Sequence, residues 1–291
     1  MFGNMISNMM VKPGQAPLFD SPANYGLDYE DVEFPATDGT TLRGWLIKGG
    51  SDKVIIQSHF GVQSNRSGWE RKGKGMMAPW KQDIKFLRQA KHFADNGYSY
   101  LMFDLRGHGA SDLGPNPWVS WGPEEAKDIL GAVSFIEGRA DLKDASIGLL
   151  AFCMGSASTT YAYGMEDGLA QHDRIKAFVA VQPLLYDIFV NALGMPGFMR
   201  RAADKVTTAR VGFDLTEPNF IESAPKVNVP TLVIQNKNDP WTRLEMVHRY
   251  HDALTVEKEL KLLDVEKSRF AAYEWVGKNP AEVQAWFDRF M

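Results

Sequence analysis

The 291-residue chain has one cysteine, so no intrachain disulfide can form, and this fits a reducing compartment such as the cytoplasm. It has no apolar run approaching the roughly 20 residues that cross a bilayer. Its first ten residues, MFGNMISNMM, lack both the basic stretch and the continuous apolar stretch of a signal peptide. A cytoplasmic location without a membrane partner is the expectation. An excess of basic charge is missing too. There are 32 Lys and Arg residues against 36 Asp and Glu, a net charge of −4, and no basic block interleaved with aromatics. A nucleic-acid partner is therefore not expected. A glycine-rich dinucleotide loop and a clustered metal-ligand set are absent as well, so neither a cofactor nor a metal is implied. His248 and His251 have i, i+3 spacing, but the pair reads as a solvated helix face.

What is present is an ordinary globular composition, 44% apolar and 12% aromatic, sufficient for a substantial core. Residues 1–27, rich in Gly, Pro, Asn and Met, read as an arm packed on the body. Val32 to Pro35 and Thr41 to Ile47 are β-type runs around Asp38-Gly39, a strong hairpin signal. Lys53 to Ser58 is a short apolar run suited to a strand buried on both faces. Strand-like and helix-like segments then alternate. Strands are predicted at Tyr98–Phe103, Ser146–Phe152, Ile175–Val181, Pro230–Asn236 and Lys258–Leu263, with helices near 83–96, 123–138, 155–166, 242–254 and from about 280. That order predicts an α/β protein, one domain over 1–291, with a mostly parallel sheet and helices on both faces. The stretch from about 184 to 225 interrupts the alternation and reads as a small helical cap beside the carboxyl ends of the strands, where open α/β sheets bind ligands.

Ala151-Phe-Cys153-Met-Gly155 lies between a predicted strand and a predicted helix. A sharp strand-to-helix turn there lifts the central side chain above the sheet, and the small residues Ala151 and Gly155 relieve the crowding. Asp104-Leu-Arg-Gly-His-Gly-Ala-Ser111 follows a strand, Ser58-His-Phe-Gly61 follows another, and Asn236-Lys-Asn-Asp239-Pro follows the penultimate one. With these motifs in this order, the chain resembles the α/β-hydrolase family from about residue 30 onward. The resemblance implies a nucleophile elbow at Cys153, an acid at Asp239 and a structural His59. It also implies an oxyanion hole made by the Met154 N–H with that of Phe60 or Gly61.

Two departures stand out. Cysteine replaces the family's usual serine, although dienelactone hydrolases are similar in this respect. A cysteine at a helix N-terminus gains from the positive end of the dipole, which favours a reactive anionic sulfur. In relatives of this kind the catalytic histidine opens a phrase like HFDLY, and here Arg269-Phe-Ala-Ala-Tyr273 stands in its place. Arginine stays protonated and cannot act as a general base.

The expected site is therefore Cys153 with Arg269 and Asp239, with Trp241 and His59 as candidate substrate contacts. The leading reading is an enzyme that attacks an ester, lactone or thioester carbonyl of a small-molecule substrate, by hydrolysis or by non-hydrolytic acyl transfer or cyclisation. Two alternatives stay open. One is a pseudo-hydrolase that binds a small ligand, with an unreactive thiol and an Arg269–Asp239 pair closed to solvent; the other is a conventional hydrolase whose base is another histidine, His59 first among them. A homodimer is left open.

Overall fold

The Asp38-Gly39 turn, with Gly39 at φ +86°, joins two antiparallel strands at one edge of the sheet, β1 (Tyr29–Pro35) and β2 (Thr41–Ile47). The computed structural model describes residues 2–61, 63–70 and 83–291. β3 (Lys53–Ser58) is followed by a two-strand ribbon that the sequence did not signal, β4 (Gly68–Trp69) with β5 (Ile84–Lys85). Because β5 takes up the first residues of the segment expected to be helical from 83, α2 begins later, at Leu87, and runs to Asp95. β6 (Ser99–Phe103), β7 (Ser146–Phe152), β8 (Ile175–Val181), β9 (Thr231–Asn236) and β10 (Lys258–Leu263) complete an eight-stranded sheet of order β1-β2-β6-β3-β7-β8-β9-β10. All pairings from β6 to β10 are parallel, and β2 meets β6 antiparallel.

The central strands are buried along nearly their whole length, as strands covered on both faces must be. The DLRGHGAS segment is part of this scaffold. Arg66 donates to the buried Asp104 carboxylate at 2.7 Å, Arg106 Nε donates to Asp128 at 2.9 Å, and Ser111 Oγ donates to the Asp104 carbonyl at 2.6 Å. No helix among the described residues is long and apolar enough to cross a membrane.

Between β8 and β9 the chain forms α5 (Tyr186–Ala192) and α6 (Gly197–Val211), the helical excursion expected over about 184–225. The first residues differ from the expected arm. They form a helix, α1 (Phe2–Val11), that packs on α6 and so adds to the cap. Gly3 meets the backbone of Ala202, where a Cβ would stand 2.5 Å from the carbonyl oxygen, and Thr207 Oγ1 donates to Ser7 Oγ at 3.0 Å. Two asparagines, a serine and the glycine of this short segment give little intrinsic helix propensity. Its helicity comes from burying Ile6, Met10 and Val11, a partner effect that local pattern does not reveal.

Candidate active site

Cys153 is the hinge between β7 and α4 (Met154–Gly164), with φ 51° and ψ −106°. A non-glycine residue in this region is strained, and such strain concentrates at functional turns. The turn is held from both sides: the Cys153 N–H donates to the Val181 carbonyl at 2.8 Å, and the Ala157 N–H donates to the Cys153 carbonyl at 3.0 Å. Gly155 permits the close approach, since a Cβ there would lie 2.5 Å from Ser58 Oγ and 2.9 Å from the Ser58 and His59 carbonyl oxygens. Met154 opens α4, so its N–H has no acceptor within the helix. Gly61 lies against Met154, and a Cβ on it would stand 2.9 Å from the Met154 sulfur. The structure thus brings Gly61 and Met154 to the elbow, with Phe60 packed beside them.

Arg269 is the first residue of α8 (Arg269–Lys278), a helix that the sequence reading passed over in favour of the phrase it contains. Its side chain is only 1% exposed. Nη1 donates to the Asp239 carboxylate and, at 2.8 Å, to Thr242 Oγ1, while Nη2 donates to the Gln182 carbonyl. Nε has no hydrogen-bond partner among the described residues. Burial alone would make this guanidinium easier to deprotonate. The neighbouring Cys153, Tyr273 and Asp239 outweigh that and hold its proton more tightly than usual. Asp239 also accepts the Trp241 N–H at 2.9 Å, which fixes the loop after β9.

Two further residues complete the arrangement and were not anticipated. Gln182, with φ 52° and fully buried, ties three elements together. Its Nε2 donates to the Arg269 carbonyl at 2.7 Å, its Oε1 accepts the Asn236 N–H at 2.9 Å, and its own carbonyl receives the guanidinium. Tyr273, four residues after Arg269 on α8, also adjoins the Cys153 sulfur. A glutamine placed one residue past a strand carries no motif, and Tyr273 had been visible only as the last letter of the HFDLY-like phrase.

Trp241 packs between the cap and helix α8. Its ring packs on Phe189 of α5 at 5.0 Å and on Phe270 at 6.1 Å, and Trp69 stacks on the same Phe270 at 5.8 Å. The cap thus joins the loop of the acid through aromatic contacts.

His59 belongs to the scaffold, which corrects the expectation that it contacts substrate or acts as the base. Its Nε2 accepts the Leu105 N–H at 3.0 Å, so Nδ1 carries the proton and donates to the Phe60 carbonyl at 2.6 Å. No lone pair remains for the thiol. Burial first, and the neighbouring His108 second, press its pKa down to about 3. Unfolded, the same imidazole titrates near 6.5, so the unfolded chain binds more protons between these values. Stability is therefore full above about 6.5 and is lost as the pH falls toward 3. The expected contribution is a drop of about 2 kcal/mol between pH 7 and pH 5. Urea unfolding of wild type and His59→Gln at both pH values checks it; an equal pH dependence in the two proteins contradicts the assignment. Of the remaining histidines, His172 pairs with Glu137 at 2.8 Å and His108 Nδ1 meets the Arg106 carbonyl at 2.9 Å. No group of three or more metal-ligating side chains occurs among the described residues.

Comparison with known proteins agrees with this architecture. A family profile described as alpha/beta hydrolase fold matches residues 80–219. The chain is 29% identical over 161 residues to the polyketide transferase grgF of a Penicillium species, covering 55% of this chain and 46% of that protein. It is 25% identical over 225 residues to the thiohydrolase aneE of Aspergillus aculeatus, covering 73% and 63% respectively. The chain thus matches less than two thirds of the length of either relative. The Pyrococcus furiosus esterase Pf2001 superposes with a TM-score of 0.73 at 22% identity, covering 97% of this chain and 98% of that one.

Proposed function

Because the chain has the α/β hydrolase fold and a cysteine at its elbow, we propose that it is an acyl-transferring enzyme. Its Cys153 attacks the carbonyl carbon of a thioester or activated ester. The observation that carries this reading is the strained Cys153 at the N-terminus of α4 with the buried Arg269 guanidinium beside its sulfur. Helix end and guanidinium both present positive charge to the sulfur, and a thiolate is the nucleophilic form. Asp239, Thr242 and the Gln182 carbonyl fix the guanidinium in place, so Asp239 acts as a positioning residue. The Met154 N–H, with that of Phe60 or Gly61, receives the oxyanion that forms when sulfur adds to the carbonyl.

The histidine base of the usual triad is missing from the site. His59 is bonded on both nitrogens, and arginine accepts no proton. A nucleophile carried by the bound substrate is held at the acyl carbon by binding, so transfer to its alcohol, amine or carbon nucleophile is favoured over attack by free water. The names of the two curated relatives, one a transferase and one a thiohydrolase, accord with thioester chemistry.

A ligand-binding protein without catalysis is the second reading, and one observation favours it: the Arg269–Asp239 pair is closed to solvent, with 1% and 0% of the two side chains exposed. The unpartnered Nε of Arg269 beside the thiol weighs the other way. The deciding experiment is incubation with a short acyl thioester of N-acetylcysteamine, followed by intact-mass analysis. The expected result is one acyl group on Cys153, released faster by added alcohol or amine than by water. A thiol that takes up neither acyl group nor iodoacetamide until the protein is unfolded supports the ligand-binding reading instead.

A further inference from the structure

The site contains a proton donor that the reaction scheme above leaves unused. Tyr273 lies four residues after Arg269 on α8, so the two side chains leave the same face of the helix. Its ring is clamped by stacking on Phe60 at 4.9 Å and 17°, and by edge contacts with Phe152 and Phe270, each at 5.7 Å. The hydroxyl is thereby held in the interior against the Cys153 sulfur, and no other side chain or backbone group among the described residues hydrogen-bonds it. A buried phenol whose one partner is the reactive sulfur is placed to give a proton to a group bonded to that sulfur.

Resting on the reading of Cys153 as nucleophile, we propose that Tyr273 carries the proton of the reaction, the task performed by histidine in the usual triad. The Cys153 thiolate adds to the carbonyl carbon, forming the C–S bond and moving the carbonyl electron pair onto oxygen. When that pair returns, the bond to the leaving group breaks, and the departing oxygen or sulfur takes the proton from Tyr273. The tyrosinate so formed faces Arg269, whose guanidinium carbon lies 5.8 Å from the ring centre. The second nucleophile, an alcohol or amine, then gives its proton to the tyrosinate as it displaces the Cys153 sulfur. Neutral Tyr273 and the thiolate are restored, and no external co-reactant is consumed.

The electrostatics fit this order of events. Burial foremost, together with the charge of an ionised Cys153, holds the Tyr273 proton tightly, while Arg269 acts in the opposite sense. Acylation removes the charge on sulfur and leaves that of arginine. Tyr273 therefore becomes a better acid at the stage when the leaving group needs its proton.

The test is Tyr273→Phe, which keeps the ring and its stacking, assayed with p-nitrophenyl and ethyl esters of one acyl group. A nitrophenolate leaves without protonation, whereas an ethoxide does not. The variant is expected to acylate Cys153 from the nitrophenyl ester within about threefold of wild type, but from the ethyl ester about 10²-fold more slowly, the usual worth of a general acid. Equal losses with both esters, or none with either, overturn the proposal and reduce Tyr273 to a packing residue. If wild type itself forms no acyl-Cys153 from either ester, the reading of Cys153 as nucleophile falls, and this proposal falls with it.

Discussion

Cys153→Ser is expected to abolish acyl-enzyme formation, with turnover of a thioester substrate falling on the order of 10⁴-fold or more. In a triad with a working histidine, a serine at the elbow loses its proton to the imidazole during attack. Here the groups beside the resting elbow are a guanidinium and a neutral phenol, and neither can accept the proton of the serine hydroxyl at the attack step. A thiol ionises near neutral pH with electrostatic help alone, whereas a serine hydroxyl does not. The exchange of one oxygen for one sulfur should leave the fold intact, because Cys153 is small and its backbone is held by the Val181 carbonyl and the Ala157 N–H. Single-turnover assays with mass detection check the result. A serine variant that keeps more than about a tenth of the activity would show that an unrecognised base reaches the elbow.

The second large effect concerns Arg269. Removing it as Arg269→Ala leaves the Asp239 carboxylate buried and unpaired, and frees Thr242 Oγ1 and the Gln182 carbonyl. Breaking one side of a buried ion pair costs about 3–5 kcal/mol, because the remaining charge keeps its desolvation penalty without its attraction. Urea denaturation is expected to show that loss, and the double variant with Asp239→Asn to recover a good part of it. The same substitution is expected to slow iodoacetamide alkylation of Cys153 at neutral pH by at least about tenfold, since the thiolate loses its nearest cation. The two readouts separate the roles. A large stability loss with unchanged alkylation identifies Arg269 as a structural partner of Asp239 and favours ligand binding over catalysis.

The sheet was readable because its central strands are runs such as Lys53–Ser58 and Ser146–Phe152, bounded by polar residues and too short for helices. The elbow was readable for a similar reason: Ala151, Cys153 and Gly155 carry a steric requirement that the sequence displays directly. The residues that organise Arg269 were less visible. Gln182 acts through its backbone carbonyl and a left-handed φ, and neither leaves a mark on a local pattern. Helix α8 was hidden by its own chemistry, because Arg269, Phe270 and Tyr273 all turn into the protein and erase the amphipathic stripe that signals a surface helix. The Trp69 ribbon is only two residues long in each strand, too short for an alternating pattern, and the helicity of residues 2–11 depends on a partner far along the chain, which periodicity does not report.

That distant pairing has a consequence for how the molecule is made. Helix α1 is translated early, yet α6, against which it packs, ends at Val211, some two hundred residues later. At about 5–20 residues per second, α1 waits on the order of ten seconds or longer on the ribosome before its partner emerges. Throughout that interval Gly3 and Ser7 lack their partners Ala202 and Thr207. Strands β9 and β10 and helix α8 are made later still, so Asp239 and Arg269 reach the elbow only after α1 and α6 are both available to pair.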